Sequence, residues 1–222
     1  MTHRLFLLRH GEVTSHRGDV PVTEDGLRTA EAVGGRLAAR TGGGVIRVIS
    51  GETRRTRDTA AAVARGARAA GAEVVEEGVA FALRNPDLYL GGVRVDMVSS
   101  EAAFAAQVPG LEESDIAGIP FFAQWLTEPD RVGWWVAHPD PPGDDAAAVD
   151  ARIRVFAASL ADRPARDGAP VMTVAITHSP VLRAVARGLT GEDPGEPQWL
   201  AGLEAEITED GKVALAVLEE AP

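Results

Sequence analysis

The first third of the chain alternates two kinds of segment, and that alternation restricts the fold more than any other feature. "RLFLL" (4–8) is a short apolar run closed by charge and glycine, the pattern of a strand buried on both faces. In "PVTEDGLRTAEAVGGRLAAR" (21–40), the apolar residues Leu27, Ala30, Val33 and Leu37 recur at helical spacing. "VIRVIS" (45–50) is rich in β-branched residues and reads as a second strand. "TRRTRDTAAAVARGARAA" (53–70) is alanine-rich and helical, and "AEVVEE" (72–77) reads as a third strand. Strand, helix and strand in this order imply a parallel sheet with helices packed on its faces.

From about 78 to 143 the rhythm stops. This stretch holds three of the four tryptophans and many prolines, which predicts an irregular insertion with one or two short helices rather than a separate domain. Beyond it, "DDAAAVDARIRVFAASLAD" (144–162) reads as an amphipathic helix whose acidic start suits the helix dipole. "PVMTVAITHS" (170–179) is the strongest later strand, and "PVLRAVARGL" (180–189) restarts a helix with proline in its first turn. The tail "LEAEITEDGKVALAVLE" (203–219) reads as a hairpin around "EDGK". The expected fold class is α/β, three layers with a mostly parallel central sheet, in one domain spanning 1–222.

Composition narrows the chemistry. A formal net charge of −11 disfavours sequence-independent binding to nucleic acid or to an anionic membrane, so neither is expected as a partner. It leaves room for a small anionic substrate held by clustered arginines. The chain has no cysteine, which excludes disulfides, thiolate metal sites and cysteine nucleophiles. "LFLL" is too short for a signal-peptide core or a membrane span, and a cytoplasmic location is the expectation.

Ligands of open α/β sheets bind beyond the carboxyl ends of the parallel strands. The first strand is followed by Arg9, His10, Gly11 and Glu12. The second is followed by "SGETRRTRDTA", in which Arg54, Arg55 and Arg57 open a helix, and the late strand by Thr177, His178 and Ser179. Two of the five histidines and the densest arginine cluster therefore fall on the ligand edge, which points to an anion site. Neighbouring side chains of a strand face opposite ways, and Gly11 is expected to let the backbone turn so that Arg9 and His10 converge. Guanidiniums neutralise a phosphate bidentately, and their charge disfavours protonation of a nearby imidazole, leaving it nucleophilic. Arg54 and Arg57 read as a solvated helix face.

"LLRHGEV" resembles the signature of the histidine phosphatase superfamily, which has the phosphoglycerate-mutase-like fold. "GDVPVTEDGLRTA" (18–30), "SGETRRTRDTA", "PPGDDAAAVDAR" and "AITHSPVLRA" are similar to its further boxes, in the family's order, over about residues 4 to 190. The resemblance implies that His10 is the phosphorylated nucleophile and that Arg9, Arg55 and His178 hold the phosphoryl oxygens. It implies no metal and no cofactor. Asp144 and Arg152 stand at the glutamate and arginine places of the fourth box.

Two positions depart from the pattern. Asn85 stands where the family's glutamate acid aligns, and an amide cannot donate a proton as a general acid. Asp87 is the expected substitute, with a turn-forming Asn-Pro-Asp as its other reading; Glu76 and Glu77 lie on a strand and suit the role less. His16 stands where many members carry a phosphate-contacting asparagine. The branch using a His-Asp pair is not matched, because Ser179 follows His178. Glu12, His16, Ser179 and Trp134 are expected substrate-binding positions. Trp134 with Trp135 reads either as a lid over the substrate or as packing, and His138 as a surface residue.

The resemblance implies a metal-independent phosphomonoesterase that hydrolyses a small phosphorylated metabolite through a phosphohistidine. A phosphoglycerate-type mutase, a phosphohistidine or phosphoprotein phosphatase, and a catalytically weak phosphate-binding relative are the alternatives. Family mutases tend to carry longer and more basic insertions than the acidic, aromatic stretch 78–143, which favours hydrolysis. The C-terminal hairpin offers an edge through which a homodimer can pair.

Overall fold

The computed structural model describes residues 3–15, 18–162, 171–218 and 220–222. Its first third follows the expected alternation: β1 (His3–Arg9), α1 (Glu24–Arg40), β2 (Val45–Ser50), α2 (Arg54–Ala69) and β3 (Glu73–Val79). A small hairpin follows, β4 (Leu88–Leu90) and β5 (Val93–Val95), and then four short helices: α3 (Glu101–Ala105), α4 (Glu113–Ile116), α5 (Pro120–Thr127) and α6 (Arg131–Ala137). The chain continues through α7 (Ala146–Ser159), β6 (Val171–Thr177), α8 (Ser179–Thr190), β7 (Gly202–Ile207) and β8 (Val213–Leu218).

The central sheet has six strands in the order β3-β2-β6-β1-β7-β8. β3, β2, β6 and β1 are parallel neighbours, and β7 alone runs against them, paired to β1 on one side and β8 on the other. The run Leu5–Leu8 is continuously apolar because β1 is central and covered on both faces. Leu5 and Leu7 pack with residues of α7 and α8, whereas Phe6 and Leu8 pack with residues of α1 and α2. The result is the expected three-layer α/β arrangement with a mostly parallel sheet.

Glycine sets the spacing of one helical layer. A methyl group on Gly34 of α1 would collide with the Val63 carbonyl oxygen of α2, and one on Gly66 of α2 with the Glu31 carbonyl oxygen of α1. The two helices therefore cross backbone to backbone. Replacing Gly66 with alanine on an open helix face would stabilise by about 1 kcal/mol. At this crossing the forced separation is expected to win, with a net loss of about 1–3 kcal/mol. Urea unfolding of Gly66→Ala measures it, and a stabilised variant would refute the close crossing.

The insertion holds more helix than the one or two short pieces expected. Each piece is one or two turns long and is started by a local device rather than by a long periodic pattern. Ser100 accepts from the Ala103 N–H, Glu112 and Asp115 form a capping box, Pro120 opens α5, and Asp130 accepts from the Gly133 N–H. Segments this short carry too few repeats to show a 3.6-residue period. Phe104, Phe122, Trp125 and Trp135 anchor them in the same core as α7 and α8.

Candidate active site

The carboxyl ends of three parallel strands are tied together by backbone hydrogen bonds. The His10 N–H donates to the Thr177 carbonyl (3.0 Å), the Gly51 N–H to that of Ile176 (2.9 Å), and the Arg9 N–H to that of Ala201 (2.9 Å). Helices α2 and α8 start at this edge, so their N-termini, which favour anions, open toward it. A cleft of about 500 Å³ lies there, and Arg9, His10, Arg55 and His178 all line it. Side chains from positions 9, 55 and 178 are thus brought to one place by the order of the sheet.

His10 is held in one orientation. Its Nδ1 lies 2.8 Å from the Gly11 carbonyl oxygen, a contact that requires an N–H there, so in the neutral ring the lone pair falls on Nε2. Its ring centroid lies 5.6 Å from that of His178 and 5.4 Å from that of Trp199. The expected role of Gly11 is corrected by the backbone, which has no positive φ there. Glycine is needed instead for close packing, since an added methyl group would sit 3.0 Å from Val22 Cγ1 and 3.3 Å from the Gly26 carbonyl oxygen. The Gly11 N–H donates to Thr59 Oγ1 of α2 at 2.9 Å, which seats the loop after β1 on that helix. Gly51 serves in the same way, for a methyl group there would press on the Leu83 carbonyl oxygen (3.0 Å) and approach His178 Nε2 (3.5 Å).

Arg9 is 5% exposed, and its guanidinium stacks 3.6 Å from the centre of the Trp199 ring. Nη1 donates to the Pro197 carbonyl and Nη2 pairs with Glu196, each at 2.5 Å. Burial lowers its pKa to about 10, against the pull of Glu196 and with a further push from the charge of Arg55. Burial likewise lowers the pKa of Arg55, while Asp19 and Asp96 oppose the change. Both remain cationic at neutral pH. Among the described residues, the Nε atoms of Arg9, Arg55 and Arg131 are buried without a hydrogen-bond partner, and all three residues line the cleft. Buried donors on three converging cations call for an acceptor. Arg54 and Arg57 are exposed, as expected of a solvated face.

Asp87 does not enter the cleft, and its expected role is corrected. Its carboxylate is clamped by Arg84, through Nε (3.0 Å to Oδ2) and Nη2 (2.5 Å), and by Arg94 Nε from the β4–β5 hairpin. Burial alone would raise its pKa, but the hydrogen bonds from the two arginines outweigh that and hold it at about 2. A carboxyl of that kind is ionised at neutral pH and has no proton to give. Its folded pKa lies below the unfolded one, so its stabilising effect is complete above about pH 4 and fades as pH falls through about 2. Asp87→Asn is expected to cost about 1–2 kcal/mol at pH 7, after allowance for solvent screening, and to cost less near pH 2. Unfolding titrations at the two pH values test this; an equal loss at both would refute it.

Asp144 and Arg152 pair at 2.8 Å and serve this same segment. Asp144 Oδ2 accepts from the Asp87 N–H (3.0 Å), and Arg152 Nη2 donates to the Arg84 carbonyl (2.9 Å), so the pair fixes the backbone on both sides of Asn85. Asn85 does line the cleft. Ser179, the first residue of α8, also lines it.

Three further expectations fare differently. Glu12 is exposed, lies on a neighbouring surface depression, and accepts from Thr23 Oγ1 (3.0 Å) at the start of α1. It therefore secures a helix end rather than orienting the cleft. Trp134 packs against Phe121 (4.9 Å) and His138 (4.7 Å) and is not a lid. His16 lies outside the described residues.

Trp125 is the aromatic residue that lines the cleft, joined by Asp130 and Arg131 of the insertion and by Glu196, while Trp199 backs His10 and Arg9 from the neighbouring depression. Topology was the available signal for Glu196 and Trp199. A strand antiparallel to β1 must begin beside the end of β1, so the loop feeding it passes the ligand edge.

These features define a phosphoglycerate-mutase-like α/β fold with a histidine and arginine cleft at its strand ends. The computed structure is similar to the native structure of a mycobacterial glucosyl-3-phosphoglycerate phosphatase (20% identity over 99% of this chain and 100% of that one, TM-score 0.61). It is also similar to Bacillus stearothermophilus YhfR (21% identity, 99% and 98% covered, TM-score 0.59). A phosphoglycerate mutase from Bacillus anthracis shares the fold at 15% identity (99% and 93% covered, TM-score 0.58). Residues 5–77 match the family model of the histidine phosphatase superfamily (branch 1). No curated protein matches the chain. Family and fold together support a phosphatase or mutase.

Proposed function

We propose that the protein is a phosphomonoesterase that hydrolyses a small phosphorylated metabolite through a phosphohistidine at His10. The observation that carries this is the pairing of an oriented His10, its Nδ1 committed to the Gly11 carbonyl, with three cleft arginines whose Nε donors lack an acceptor. Nε2 attacks phosphorus, Arg9, Arg55 and His178 take up the charge on the equatorial oxygens, and water then cleaves the N–P bond. The positive charge comes from guanidiniums, and among the described residues no group of three or more His, Asp or Glu is placed to hold a metal ion.

Hydrolysis is favoured over phosphoryl return to a second hydroxyl by what the insertion gives the cleft. Asp130 and Glu196 stand among the cleft cations, and Trp125, Val98 and Val132 supply apolar surface, which suits one phosphoryl group on a neutral organic part. A mutase holding a doubly anionic substrate needs an excess of cations there. The test is release of inorganic phosphate from a panel of phosphorylated metabolites, with an alkaline denaturing quench to trap the acid-labile, base-stable phosphate on His10. Isomerised ester without free phosphate would favour the mutase.

A further inference from the structure

Two carboxylates line the cleft among the described residues, Asp130 and Glu196. Asp130 is committed: Arg183 donates to both its oxygens (2.8 and 2.7 Å) and the Gly133 N–H donates to one of them (3.0 Å). Glu196 is held differently. One of its oxygens pairs with Arg9 (2.5 Å), and the other accepts from Ser179 Oγ (2.5 Å) with Arg183 Nη1 at 3.7 Å. Its loop is anchored on either side, by Arg183 on Asp193 and by Arg9 on the Pro197 carbonyl.

We propose that Glu196 is the catalytic proton donor and acceptor of this site, filling the role that Asn85 cannot. The inference rests on the reading of the chain as a hydrolase acting through His10. Arg9 is the cation common to Glu196 and to the phosphoryl group. Once phosphoryl oxygens accept from Arg9, Glu196 is released from part of that ion pair and stands beside the phosphoryl group. The other charges facing it are Arg183 of α8, Asp193 of its own loop, Asp130 and Arg131 of the insertion, and His10, Arg55 and His178 across the cleft.

In the first step the His10 Nε2 lone pair forms the N–P bond. The P–O ester bond breaks with its electron pair going to the leaving oxygen, which takes the Glu196 proton. In the second step the Glu196 carboxylate takes a proton from water, whose oxygen bonds to phosphorus. The N–P electron pair then returns to Nε2.

Glu196→Gln is expected to slow hydrolysis of an alkyl ester, glycerol phosphate, by a factor on the order of 10² to 10⁴. p-Nitrophenyl phosphate needs little protonation of its leaving group. The variant should release about one nitrophenolate per chain in a burst and then stall as phosphohistidine accumulates. Glu196→Asp, which keeps the carboxyl, should restore turnover in part. Alkyl hydrolysis within about threefold of the unmodified chain, or equal loss on both esters with no burst, would overturn the assignment. Phosphate-protected melting confirms that both variants fold. If the unmodified chain hydrolyses neither ester, the fault lies with the underlying reading of the site and not with Glu196.

Discussion

Replacing His10 with alanine is expected to lower phosphate release by a factor on the order of 10⁴ or more, the scale of losing a covalent nucleophile. The acid-labile phosphate on the chain should vanish with it. Binding should survive, because Arg9, Arg55, His178 and the N-terminus of α8 are untouched. Inorganic phosphate or vanadate is therefore expected to bind His10→Ala within about tenfold of its affinity for the parent, so that the loss falls on turnover. Single-turnover kinetics with isotopically labelled ester separates the two. Turnover within about tenfold of the parent would mean that water attacks phosphorus directly and that no covalent route exists.

The second large effect is on stability. Arg183 is 1% exposed and joins three separate parts of the chain. It donates to Asp130 at the start of α6 and to Asp193 in the loop before β7, and it approaches Glu196. Burial works against its charge, but the two aspartates more than compensate and raise its pKa. Arg183→Met fills a similar volume and removes the cation. The expected cost is about 3 kcal/mol, the low end for breaking a buried pair, because Asp130 is 59% exposed and can rehydrate. Catalysis should suffer beyond the loss of folded protein, since Arg131 and Glu196 lose the side chain that fixes their backbone neighbourhood. Urea unfolding reads the first effect and KM against kcat at a temperature of full folding reads the second. A loss below about 1 kcal/mol would mean the carboxylates find other partners.

The residues legible in the sequence share a simple property: each directly follows a strand or opens a helix whose pattern is strong. Arg9 and His10 end β1, Arg55 opens α2, and His178 ends β6, so a rule about strand ends locates them. Asp87 was misplaced for the opposite reason. It lies only two positions from Asn85, but its side chain is turned away by Arg84 and by Arg94, and Arg94 sits on a hairpin too short to leave a sequence pattern. Glu196 was passed over because its loop, "GEDPGEPQW", has no periodicity and lies far from every motif. Its place depends on β7 pairing with β1 across nearly two hundred residues. Trp134 and Trp199 show the same contrast, the first drawing notice as a doublet and the second meeting Arg9 through sheet order alone.

Strand β1 pairs with β6 and β7 and with no strand nearer along the chain. During synthesis, β1 thus emerges about 170 residues before its parallel neighbour β6. The segment 5–77, which bears the family match, can dock β2 on β3 and α1 on α2, yet among the described residues it supplies no strand partner for β1. Contacts this distant close slowly. A cleft that needs β1 beside β6 therefore assembles only after β6 has been made.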